Sequence, residues 1–62
     1  MIIKVIMDSG IEYELEDIES VDNFQSKLKN DIGIVKNTFV YLDNDETIVI
    51  NPSHISSIEV IE

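Results

Sequence analysis

Apolar and polar positions alternate along most of this chain, and the places where the alternation changes mark its elements. Ile2 to Met7 is apolar except for Lys4, with Ile3, Val5 and Met7 on one side. This pattern predicts a strand buried on one face and partly covered on the other. Asp8-Ser9-Gly10 follows as a turn, since Gly can take the positive φ that a tight reversal needs. Ile11, Tyr13 and Leu15 then alternate with Glu12, Glu14 and Glu16. A strict period of two predicts a half-buried second strand, with glutamates on its solvent face. The two strands form a hairpin.

The period lengthens from Ser20 onward. Val21, Phe24 and Leu28, extended by Ile32, fall on one helical stripe. Ser20 suits an N-cap, and Asp17, Glu19 and Asp22 sit near the positive end of the helix dipole. Lys27 and Lys29 occupy the last turn, and Gly33 is placed to stop it. These signals predict one amphipathic helix of about ten residues, too short to stand without a sheet beneath it.

Val35 to Leu42 reads as a third strand, with Phe39 and Tyr41 on one face and Val40 and Leu42 on the other. Asp43 to Glu46 is a polar turn, and Thr47 to Ile50 a fourth strand with Ile48 and Ile50 facing one way. Asn51-Pro52-Ser53-His54 breaks the sheet with one 3₁₀ turn, because Asn caps and Pro fits the first helical position. Ile55 to Ile61 is the last strand. The order β-β-α-β-β-β describes a single domain spanning residues 1–62, α+β and mainly antiparallel. Two architectures fit it: a small SH3-like barrel, or a bent five-stranded sheet carrying one helix.

Composition sharpens this reading. The 62 residues include twelve isoleucines and six valines but no alanine, a bias toward strands. Four lysines face thirteen acidic residues, a net charge of −9. Such acidity disfavours direct binding to nucleic acid or to anionic lipid, both of which need counter-charge. With no cysteine there is no disulfide and no thiolate metal site. Neither a transmembrane helix nor a signal peptide is expected, which points to the cytoplasm.

Little of the sequence suggests chemistry. Asp43-Asn44-Asp45-Glu46-Thr47 begins like a calcium loop, but Ile48 and His54 stand where such a loop needs Gly and Glu. His54 has Ser53, Ser56 and Ser57 near it in sequence, without the Gly-x-Ser-x-Gly turn of a nucleophile. Tyr13, Phe39 and Tyr41 neighbour acids rather than the cations that accompany base stacking, so they read as core or as an interface patch. No catalytic residue, metal site or cofactor is expected.

The most one-sided feature is the row Glu12, Glu14 and Glu16, continued by Asp17 and Glu19. Alternate residues of a strand lie about 6.8 Å apart on one face, so the row is a regular line of negative charge. A solvated sheet face that resists aggregation would look similar. Yet no lysine interrupts the row in sequence, and this makes it the candidate partner-binding surface.

The tail Thr47 to Glu59 resembles small uncharacterised proteins of Gram-positive phages and prophages. In those a strand ends in Asn, Pro and His-Ile follow, and a last Ile-Glu strand closes a small barrel. The resemblance carries over no catalytic or binding residue. It implies a source in which tiny acidic proteins inhibit host defence or nucleic-acid-processing machinery. The leading expectation is therefore a non-enzymatic protein–protein interaction module occupying a basic surface on a larger bacterial protein. The alternatives are a homo-oligomeric assembly protein and a small-molecule sponge built at a subunit interface. A homodimer or higher oligomer is expected in any case, because the core is short of material.

Overall fold

The computed structural model describes residues 1–16 and 18–61. It is a small domain of antiparallel strands with one short helix, arranged as two sheets. Strands β1 (Ile2–Met7), β2 (Glu12–Leu15) and β5 (Ile55–Ile61) form a three-stranded sheet in the order β2-β1-β5. Strands β3 (Val40–Tyr41) and β4 (Val49–Ile50) form a separate two-stranded ribbon. Helix α1 spans Val21–Ser26, and a 3₁₀ turn spans Pro52–His54. The mainly antiparallel α+β class and the element order are as expected; among the described residues the two sheets stay separate and are not closed.

The first hairpin follows directly from its sequence. Gly10 has φ +91°, its N–H donates to the Met7 carbonyl, and the Met7 N–H donates to the Ile11 carbonyl. The resulting register sets Ile3 opposite Leu15 and Val5 opposite Tyr13. One face of the sheet thus carries Ile3, Val5, Met7 and Leu15 into the core, where Phe24, Leu28, Leu42 and Ile50 meet them. Tyr13, Ile18, Val40, Ile48, Ile55 and Ile58 close around this cluster.

The helix is capped as expected, with the Ser20 hydroxyl accepting from the Asn23 N–H at 3.0 Å. It is six residues long rather than about ten. Val, Asp, Asn and Ser are weak helix formers, and the Ser26 hydroxyl bonds back to the Asn23 carbonyl at 2.8 Å. The chain then turns into a tight reversal that competes with further helix. The Lys36 N–H donates to the Leu28 carbonyl, and the Asn30 N–H to that of Ile34. The Asn30 side chain accepts from the N–H groups of Ile32 and Ile34. Gly33, at φ +83°, serves this reversal instead of ending a helix. Ile32 sits at its tip, 78% exposed, and leaves the apolar stripe.

The same reversal shortens the third strand from eight residues to two. Val35 bridges to Lys29, so the first part of the expected strand is already paired with what precedes it. Asn37 is then held by side chains, accepting from the Asn51 amide at 2.9 Å and the Ser53 hydroxyl at 3.1 Å. The expected faces survive: Leu42 is fully buried, whereas Phe39 and Tyr41 point outward. The fourth strand begins at Val49 rather than Thr47, because the Asp43 side chain takes the N–H groups of Thr47 and Ile48. Asn51 caps the 3₁₀ turn through the Ser53 N–H, with Pro52 in the first turn.

Candidate functional site

The outer face of the three-stranded sheet is built by strand parity. Lys4 lies between Glu14 of β2 on one side and Glu59 of β5 on the other. Its ammonium reaches diagonally to Glu12, with Nζ 2.8 Å from Oε1. The hydrogen bond and charge of Glu12 raise the Lys4 pKa, with smaller help from Glu59 and Glu14. The glutamate row is therefore interrupted in space by a lysine that its own sequence does not contain. Glu12 is the member most directly neutralised.

Glu14 and Glu16 have different surroundings. The Asp43–Asp45 turn of the β3–β4 ribbon comes up against the end of β2, leaving a groove of about 430 Å³ between the two sheets. Glu14 and Glu16 line one side, Asp43 and Asp45 the other, and Leu15, Ile18 and Ile48 form its apolar part. No lysine lines this groove among the described residues. In sequence Asp43 to Glu46 reads as a polar turn. The ladder within each sheet could not show that the ribbon's turn docks beside β2.

Asp43 is fixed by its own turn. Its carboxylate accepts from the Thr47 hydroxyl and N–H and from the Ile48 N–H at 2.9 Å. These bonds, the hydroxyl foremost, favour the ionised form and hold its pKa below the ordinary carboxylate range. The groove thus contains a carboxylate kept charged and kept still. Glu46 takes the left-handed conformation, φ +59°, to close the turn.

Glu19 is separated from this group. It lines a neighbouring depression of about 290 Å³ together with Asn23, Phe24 and Lys27. Lys27 spans that depression, donating to the Leu42 carbonyl at 2.7 Å with Nζ 5.1 Å from the Phe24 ring centroid. Burial lowers the Lys27 pKa, opposed by the charge of Asp43. Asp17, between the two groups in sequence, lies outside the described residues. The expected site therefore divides into Glu12 paired with Lys4, Glu14 and Glu16 in an acidic groove, and Glu19 beside Lys27.

Elsewhere, Ser53 bonds to Asn37 and Asn51, while His54 Nδ1 stands 3.8 Å from the Asp8 carboxylate. Among the described residues, no three acidic or histidine side chains are grouped to hold a metal ion. Tyr13 joins the core margin, whereas Phe39 and Tyr41 are 77% and 51% exposed. No helix is long and apolar enough to cross a membrane among the described residues. Comparison with protein-family models, with curated proteins and with solved structures finds no match.

Proposed function

We propose that this protein is a non-enzymatic interaction module that occupies a basic surface on a larger protein. The observation that carries the reading is the groove where Glu14 and Glu16 meet Asp43 and Asp45 without a lining lysine. Four carboxylates from two sheets line this one groove, and Lys4 beside Glu14 and Lys27 near Asp43 act on it only from outside its lining. A cationic partner complements this acidic lining, which favours fast, salt-sensitive association. The refined site is Glu14 and Glu16 with Asp43 and Asp45. Glu12 is paired with Lys4, and Glu19 lines a separate depression.

Within this proposal the partner is a bacterial protein that handles nucleic acid or defends against it, since such proteins expose basic grooves. The tail's resemblance to phage proteins supports an inhibitor acting in the host cytoplasm and a distant relation to SH3-like folds. The test is affinity capture from bacterial lysate with the wild-type chain and with Glu14→Lys/Glu16→Lys. The reading requires a captured protein that the reversal releases.

A further inference from the structure

The three-stranded sheet has two outer edges, and their chemistry is opposite. Successive residues of an antiparallel strand turn their backbone N–H and C=O groups to alternate sides. The Met7 N–H bonds toward β2, so Ile3 and Val5 do as well, whereas Ile2, Lys4 and Ile6 bond toward β5. In the observed register Ser57, Glu59 and Ile61 then turn to β1, and Ile58 and Val60 direct their backbone groups outward. On the β2 edge the outward groups belong to Glu12 and Glu14. A second copy approaching there would set glutamate against glutamate, which is how natural sheets protect an edge. The β5 edge has a single charge, Glu59, and its Val60 and Ile61 are exposed. Among the described residues no backbone bond from a loop covers Ile58 or Val60.

Reading outward from Ile58, isoleucine recurs three residues away in both directions, at Ile55 and Ile61. An antiparallel partner with the same sequence, related by a two-fold axis at Ile58, brings Ile58 against Ile58 and Ser57 against Glu59. Both Ile58 residues present outward backbone groups, so the ladder bonds form in this register. Moving the axis to Glu59 would place the two glutamates opposite each other. The β-bulge at Ser56, which has no residue opposite it on β1, ends the regular edge and keeps the pairing short.

We propose that β5 pairs with β5 of a second copy about a two-fold axis at Ile58, giving one continuous sheet of six strands. An isologous contact of this kind closes at two subunits. It uses no residue of the acidic groove, so it stands or falls apart from the function proposed above. The short edge makes the dimer weak, with dissociation roughly in the micromolar range.

The test is sedimentation equilibrium of the whole chain up to about 100 µM, well above that range. The wild type is compared with Ser57→Glu and Ser57→Lys, both at an exposed position, with circular dichroism confirming each fold. Ser57→Glu puts like charges opposite each other twice per dimer and should raise the dissociation constant about tenfold, whereas Ser57→Lys should lower it several-fold. The expected limiting mass is twice the 7.1 kDa chain. A monomer at the highest concentration overturns the proposal. A limiting mass above the dimer, or two variants that do not shift in opposite directions, overturns it equally.

Discussion

Lys4 and Glu12 join across the β1–β2 hairpin, Nζ to Oε1 at 2.8 Å, and Lys4 also faces Glu14 and Glu59. One cation therefore serves the three acids around it. Replacing it in Lys4→Gln should lower the melting temperature, because three carboxylates are left facing one another. Salt screens exposed charges. The loss should therefore shrink between about 0.01 M and 0.15 M salt, over which the Debye length falls from roughly 30 to 8 Å. Thermal melts of both proteins at the two salt concentrations check this. A loss that does not depend on salt would mean the lysine acts through packing of its stem.

Asp43 gives the fold a specific acid limit. Its folded pKa is depressed, chiefly by the Thr47 hydroxyl, so its contribution is present above the unfolded value and lost as pH falls through the folded one. The wild type should lose stability below about pH 4, the range of a free aspartate. Asp43→Asn should be less stable at neutral pH and should show a smaller loss on acidification. Melting temperatures from neutral to acid pH distinguish the two curves.

Leu42 is the joint between the ribbon and the sheet. It is fully buried, its N–H donates to the Ile48 carbonyl, and its own carbonyl accepts from Lys27. Leu42→Ala should cost about 2–5 kcal/mol through lost burial and the cavity left behind. A domain of this length has a total of roughly 3–9 kcal/mol, so the variant should lose a large share of its stability and unfold at a much lower urea concentration. Urea denaturation followed by circular dichroism reads this directly.

Ser20→Ala removes the side-chain N-cap of a six-residue helix and should cost about 1 kcal/mol. Ser20→Gly should recover most of that loss, since glycine is tolerated at the N-cap. Equal loss in both variants would show that the hydroxyl matters for something other than the cap.

Sequence periodicity made the hairpin, the Ser20 cap, the 3₁₀ turn and β5 legible, because each is fixed by neighbours within a few residues. It overran in the middle of the chain. Gly33 reads in sequence as the end of a helix, yet Asn30 bonds forward to Ile32 and Ile34 and folds Leu28 to Lys36 into a reversal. That choice removes residues from both α1 and β3. The candidate site was half legible for a related reason. Glu14 and Glu16 are visible as a row, but Lys4 enters from the adjacent strand and Asp43 and Asp45 from a different sheet. Such juxtapositions are made by tertiary packing and leave no local pattern.

If the groove of Glu14, Glu16, Asp43 and Asp45 binds a basic partner, as proposed, reversing its charge must remove that binding. The most direct measurement is the affinity of the protein captured from lysate for three forms of this chain, at low and physiological salt. The forms are wild type, Glu14→Lys/Glu16→Lys and Glu12→Gln, with circular dichroism confirming the fold. The side chains of Glu14 and Glu16 are exposed, so reversing them should change stability by no more than about 0.5 kcal/mol each. The double reversal should abolish binding, Glu12→Gln should change it little, and the wild-type on-rate should fall steeply with salt. Equal affinity of wild type and folded double reversal at both salt concentrations would rule the groove out and move the binding surface to the exposed Phe39 and Tyr41.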